Sequence, residues 1–311
     1  MAPVMLVTFE NASQSTTPAV LKLYDRRFGT HLRILNGKYA PCTTQDEAKF
    51  QLFIGQGKMS SFLQELKEEN ENSLIPPTAS DFYDDSADAT AKYEAALWHE
   101  ANQHFHNETE AYTHLKELQG RLIPRVYAHV RLDKVAGERI QPDAKDYLNV
   151  YGILMQLVEG FDLWDMPTSL LAPSDRLRWP NIIQSAVDAA HEVNKRGIIL
   201  QDSGPRNVVV DQASQMPFLI DLAQCLFKDK LFDLWENLSL EDEDEDGEEW
   251  DPEIEYWDRV RSHNNPASIG SVMAKLLLQE YNLDVDIKYP DYDKMIAESK
   301  RCLLDAKDVK L

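Results

Sequence analysis

Two runs near the start, VMLVTFE at 4–10 and AVLKLYD at 19–25, are dense in β-branched and large apolar side chains. They read as strands, separated by a polar turn over 11–18. At 60–71 the period changes: in SSFLQELKEENE, Phe62, Leu63 and Leu66 share one side of a helix and charges surround them. The stretch 76–88, PPTASDFYDDSAD, has breakers and little apolar content and predicts a loop. From 95 to 118 a helical stripe runs through Leu97, Ala101, Phe105, Ala111, Tyr112, Leu115 and Leu118, and Gly120 supplies its stop. Strand-like segments follow at 125–132 and 148–158, and Gly160 breaks the second. The next helix covers 179–196, with Ile182, Ile183, Ala186, Val187, Ala190 and Val193 on one stripe and Gly197 at its end. Three tight strands come next, at 198–200, 208–210 and 218–220. The tail from Asn265 reads as helices joined by short loops.

Composition narrows the class. At 311 residues with 43% hydrophobic positions, the chain can bury a sizeable core and is long enough for two lobes. A net charge of -21 and a pI near 4.7 argue against a nucleic-acid partner, because a polyanion repels an acidic surface. Much of that charge lies in one run, 241–255. Its plain interpretation is a solvated, disordered block; a sharper one is attraction of a basic substrate or partner. Cys42, Cys225 and Cys302 are odd in number and lack metal-ligand spacing, which predicts reduced thiols. The eight histidines show no zinc spacing: His104 and His106 are expected at the surface, and His191 as a satisfied or partly exposed residue of an apolar helix. No leader pattern and no apolar run near 18 residues is present, so a soluble protein of the cytoplasm or nucleus, without membrane contact, is expected.

Chemistry concentrates in RGIILQDSGPRNVVVDQASQMPFLIDLAQ, residues 196–224. Asp202, Asn207 and Asp221 each sit at a strand end. Two carboxylates and an amide on short loops can converge on one divalent cation, and oxygen ligands of this kind suit Mg²⁺. The same residues are also favoured in turns, so bracing of the loops is an equally open interpretation.

D-x-x-x-x-N, a short hairpin and an apolar strand ending in Asp resemble the catalytic loop and metal-binding Asp of protein kinases and their aminoglycoside and choline kinase relatives. The wording DSGPRNVVV with LIDLAQ is most similar to the protein-kinase-like proteins of fungi. In chain order, AVLKLYDRRF resembles the strand that carries the phosphate-binding lysine, here Lys22. NETEAYTHLKELQGRLIPRVY resembles the helix that supplies its partner, here Glu108. GILMQLVEGFDL resembles the strand and hinge between lobes, and NPASIGSVMAKLL with YPDY resembles the C-terminal part. The resemblance covers about residues 19–299.

It implies an α+β, two-lobed protein-kinase-like fold. A β-rich N-lobe would span 1–157 with an insertion at 26–95, and a mainly helical C-lobe 158–311. It further implies ATP and Mg²⁺ as cofactors. Lys22 would hold the α and β phosphates and pair with Glu108. Met155 would be the gatekeeper, and Gln156, Leu157 and Val158 would line the adenine edge. Asp202 would orient the attacking hydroxyl or take its proton, and Asn207 and Asp221 would carry Mg²⁺.

The sequence also departs from that family. Only one strand fits before the strand of Lys22, and no G-x-G precedes it, so the glycine-rich phosphate loop is missing, as an upstream truncation would leave it. Gly55-Gln56-Gly57-Lys58 follows Lys22 and lacks phosphate-loop spacing. Gln201 replaces the usual His, Asp221-Leu222-Ala223 replaces Asp-Phe-Gly, and no Ala-Pro-Glu follows. The expectation is therefore an ATP-dependent phosphotransferase acting on a hydroxyl of a protein or small molecule. A pseudokinase serving as an interaction module, or a small-molecule kinase of the aminoglycoside or choline type, are the alternatives.

Overall fold

A computed structural model describes residues 2–10, 15–29, 31–72, 77–84, 86–133, 142–239 and 251–308. The chain is α+β, with an antiparallel sheet in its first half and helices dominating its second. It packs as two compact units: Met1–Thr109 with Arg125–Leu157, and Glu110–Pro124 with Val158–Leu311.

The first unit holds β1 (Val4–Glu10), β2 (Thr16–Tyr24), the ribbon β3 (Ile34–Leu35) and β4 (Lys38–Tyr39), and the helices α1 (Thr44–Gly55) and α2 (Met59–Asn72). It takes α3 (Ala89–His114) as far as Thr109, then β5 (Val126–Leu132) and β6 (Val150–Gln156). The sheet order is β1-β2-β6-β5, antiparallel throughout. β2 and β6 are its inner strands, so the side chains at their centres are the ones most shielded from water. Ala19, Leu23, Ile153 and Met155 are all buried there.

The described residues of the insertion, expected as a mixed stretch, form regular elements with a core of their own. Two findings revise the sequence expectation: a helix, α1, occupies 44–55, and α3 starts at Ala89 instead of 95. Thr43 caps α1 by accepting from the Asp46 N–H, while the Asp46 carboxylate accepts from the Thr43 N–H at 2.9 Å. Phe50, Phe53, Ile54, Met59, Phe62, Leu66 and Phe82 form a core of their own with the start of α3. Arg33 and Glu94, 1% and 0% exposed, join at 2.6 Å through Nη2 and Oε1, and Arg26 bonds both Glu94 and Glu47. A buried network like this adds little net stability, but losing one partner leaves an uncompensated charge. Gly55 to Lys58 form the end of α1 and the turn after it.

The second unit begins with the end of α3 and continues with β7 (Gly160–Asp162), α4 (Trp179–Lys195), β8 (Ile198–Leu200), β9 (Val208–Asp211), β10 (Pro217–Leu219) and β11 (Cys225–Phe227). The helices α5 (Lys228–Ser239), α6 (Pro252–His263), α7 (Asn265–Tyr281) and α8 (Tyr292–Asp308) complete it. α4 buries Ile182, Ile183, Ala186, Val187, Ala190 and Val193, the stripe its period predicts. Each large aliphatic there is worth about 1.5–3 kcal/mol of apolar burial. Gly197 follows α4 at φ +79, a left-handed turn that a side chain resists. Gly160 opens β7 instead of ending a pattern: a Cβ there would lie 1.8 Å from the Val210 carbonyl oxygen, so only glycine lets β7 pair with β9.

The acidic run divides. Residues 241–250 lie outside the described residues. Residues 251–255, expected to be disordered, are the start of α6: the Asp251 carboxylate accepts from the N–H groups of Glu253 and Ile254, and Pro252 occupies the first turn. Among the described residues no helix is long and apolar enough to cross a membrane.

Candidate active site

β2 places Lys22 and Tyr24 two residues apart, hence on one face of the sheet. Lys22 is 6% exposed and Glu108, on α3, is 0% exposed. Lys22 Nζ donates to Glu108 Oε2 at 2.5 Å, and the Tyr24 hydroxyl donates to the same oxygen. The ammonium also lies 5.4 Å from the Tyr24 ring centroid. Glu110, the other carboxylate of this part of α3, belongs to the second unit and pairs with Lys230 at 2.6 Å. The lysine and glutamate picked from sequence are thus together and dehydrated. Tyr24 was not picked, although its i, i+2 spacing from Lys22 was the available signal.

Met155 is buried on β6, opposite Val20 on one side and Val126 on the other. Gln156 faces the adjoining backbone: its N–H donates to the Arg125 carbonyl at 2.8 Å and its side-chain oxygen accepts from the Arg125 N–H at 3.2 Å. Leu157 and Val158 are half-buried, and the chain passes from the first unit to the second between them. Val158 also lines a cavity of about 610 Å³ in the second unit, with Phe161, Asp162, Asp165, Thr168 and Val209. Partial desolvation, helped by Asp165, holds the Asp162 carboxyl above its usual range.

The segments 201–207 and 220–224 are bonded to each other at both ends. The Gln201 N–H donates to the Gln224 carbonyl at 2.9 Å, and the Ile220 N–H donates to the Asn207 carbonyl at 2.9 Å. Asp221 falls between these two bonds, half-buried, with φ +60. A left-handed aspartate costs on the order of 1 kcal/mol or more and persists only where its surroundings impose it. Here the buried Leu222 and Ala223 and the two flanking bonds do so. Asn207 Nδ2 donates to the Asp202 carbonyl at 2.7 Å. The amide therefore braces the loop with its nitrogen and leaves its oxygen as an acceptor. Asp202 is 39% exposed and accepts from Arg206 Nη2 at 2.5 Å. Arg206 went unremarked in the sequence although it sits inside DSGPRN.

A deeper support was invisible in sequence. Asn265, the first residue of α7 and 1% exposed, accepts through Oδ1 from the Leu200 N–H at 2.9 Å and from Asn194 Nδ2 at 2.8 Å. Its own Nδ2 donates to the Leu200 carbonyl at 2.6 Å. Ser203 Oγ donates to the Asn265 carbonyl at 3.2 Å, and the Tyr256 hydroxyl donates to the Asn194 carbonyl at 2.6 Å. One buried amide thus holds the strand that delivers Asp202, from 65 residues downstream.

Among the described residues no three His, Cys, Asp or Glu side chains group as a metal cage. The oxygens of Asn207 and Asp221 suit a cation of another kind. Mg²⁺ keeps several waters and is held by one or two protein oxygens together with substrate phosphates.

No protein-family model matches the chain, and no curated protein matches it. Among solved structures it is similar to the bifunctional kinase-methyltransferase WbdD, at 18% identity and a TM-score of 0.28. That match covers 70% of this chain and 44% of the other, so the chain spans less than half the length of the protein it resembles. So distant a likeness says nothing about chemistry.

Proposed function

We propose that the chain is an ATP-dependent phosphotransferase of the protein-kinase-like kind, moving a phosphoryl group to a hydroxyl acceptor. The observation that carries this reading is the Lys22–Glu108 pair. A lysine taken out of water on an inner strand, and matched to a fully buried glutamate 86 residues away, is a poor way to stabilise a sheet. It is a good way to keep an ammonium charged and aimed for phosphate oxygens. In this reading Lys22 binds the α and β phosphates and Glu108 positions it, with Tyr24 fixing the carboxylate. Met155, Gln156, Leu157 and Val158 border the adenine. Asn207 and Asp221 offer oxygens to Mg²⁺, whose contribution is to neutralise charge on the transferring group. Asp202 orients the acceptor hydroxyl and receives its proton.

The second reading is a pseudokinase. β1 is the one strand ahead of β2 among the described residues, and residues 1–21 of the sequence contain no glycine. Backbone N–H bonds to charged phosphates are worth about 1.5–3 kcal/mol each, so a kinase-like site without a glycine-rich loop would bind nucleotide roughly tenfold or more weakly.

Calorimetric titration with ATP, with and without Mg²⁺, separates the two. Saturable Mg²⁺-dependent binding that Asp221→Ala removes supports the enzyme. Asp202→Ala should then retain binding and slow turnover by about 10²–10⁴-fold. Absence of binding at millimolar ATP leaves the pseudokinase.

A further inference from the structure

The loop after Asp202 forms one wall of a second cavity in the second unit, of about 320 Å³, whose other wall comes from Trp164 and α7. Its lining includes Trp164, Ser203, Pro205, Arg206, Ser268 and Val272. Trp164 and Val272 are 46% and 37% exposed, so part of an aromatic and part of an aliphatic side chain face water there. The polar groups are specific in their direction. Ser203 Oγ and Ser268 Oγ each spend their proton on a main-chain carbonyl, Asn265 at 3.2 Å and Asn264 at 3.2 Å. What they can offer a ligand is lone pairs. Arg206 offers the remaining N–H groups of its guanidinium, one being engaged by Asp202 at 2.5 Å.

We propose that this cavity is the acceptor subsite and that it takes a compact neutral polyol ring, a sugar or a cyclitol. The proposal rests on the phosphotransferase reading and names its substrate class. Such a ring has C–H faces for Trp164 and Val272, O–H donors for the two serines and oxygen acceptors for Arg206. The lining holds no carboxylate for a cationic acceptor, and the nearby Asp202 is already paired with Arg206. The volume lies at the lower end of the range for small-molecule pockets, which is room for one ring. The Arg206–Asp202 ion pair joins the cavity to the catalytic aspartate. One ring hydroxyl would attack the γ-phosphorus of ATP: its O–P bond forms, the bond to the β-phosphate oxygen breaks, ADP leaves, and the hydroxyl proton passes to Asp202.

The test is calorimetric titration of the full chain with methyl α-D-glucopyranoside, methyl α-D-mannopyranoside and myo-inositol, each with and without Mg·ATP. Choline and a serine-containing peptide serve as the competing classes. At least one polyol should saturate below about 10 mM. Pyranoside against inositol distinguishes sugar from cyclitol. Trp164→Ala and Val272→Trp, both at half-exposed positions, should each weaken that binding by about tenfold or more with unchanged Mg·ATP affinity. No binding of any polyol overturns the proposal, whether or not Mg·ATP binds. So does polyol binding that neither variant changes, or Trp164-dependent binding of choline or the peptide instead. The Mg·ATP titration alone decides the reading beneath it. A polyol that binds through Trp164 to a chain unable to bind Mg·ATP removes the acceptor role and so overturns the proposal as stated.

Discussion

Replacing Lys22 by methionine keeps the length and apolar stem of the side chain and removes its charge, which takes the ammonium away from a buried carboxylate that the Tyr24 hydroxyl also bonds. Glu108 is 0% exposed, so water cannot take the place of the ammonium. Breaking a buried pair in this way costs about 3–5 kcal/mol. Adding Glu108→Gln to Lys22→Met removes the second charge and keeps an oxygen for Tyr24 to donate to. Replacing both ions by neutral groups of similar volume is commonly neutral or stabilising, so the double variant should recover most of what the single one lost. Urea denaturation of the wild type, both single variants and the double variant completes the cycle, and a coupling of about 2–3 kcal/mol is expected. Mg·ATP binding should move differently, being lost in Lys22→Met and staying lost in the double variant. That divergence separates a charge kept for a ligand from one kept for the fold. Nucleotide affinity restored together with stability would refute the reasoning, and so would additive stability effects.

Asn265→Leu leaves the Leu200 N–H, the Leu200 carbonyl and Asn194 Nδ2 each short of one buried partner. At about 1–3 kcal/mol per orphaned group it should destabilise the second unit by about 3 kcal/mol or more, read by chemical denaturation; a loss below about 1 kcal/mol would show that the clamp is redundant. His191 packs against Trp257 and Tyr292, and its buried Nδ1 has no hydrogen-bond partner. Burial, and then Lys195, lower its pKa from the ordinary 6.5, against a smaller opposing pull from Glu192 and Asp188. A histidine held neutral by the fold stabilises above its unfolded pKa, and that contribution is lost as pH falls through the folded pKa. The thermal midpoint should therefore drop between about pH 7.5 and 5.5, and drop less in His191→Phe; equal drops would assign the effect to other groups.

The long elements were legible because their burial is one-sided and their period long. α4 and the three short strands after it fall within a residue or two of their expected places, since a stripe of branched apolar residues and a glycine stop admit few alternatives. α1 escaped because its apolar residues, Phe50, Phe53 and Ile54, cluster near its end and give little periodic signal over 12 residues. Its cap, Thr43 with Asp46, was the signal to use. The first six residues of α3 carry no helical stripe of their own, because Ala91, Tyr93 and Glu94 are buried by tertiary packing in the insertion, which local pattern does not encode.

The same division holds for the candidate site. Asp202, Asn207 and Asp221 are legible because each stands at a strand end, and Lys22 and Glu108 only through the resemblance in chain order to a known family. What makes them more than a list of polar residues is carried by groups with no such address. Tyr24 matters because its hydroxyl reaches the oxygen that Lys22 also uses; Asn265 matters because its amide spans both polar groups of Leu200. Asp221 is held at a positive φ by bonds on either side of it that a linear sequence cannot display. The two kinds of residue also differ in what a substitution would do. A change at Asp202, whose side chain is 39% exposed, should leave stability nearly intact. A change at Asn265 should lower stability first and activity only as a consequence. Candidate ligand residues are thus found by motif, and the groups that brace them by asking where each buried polar group sends its hydrogen bonds.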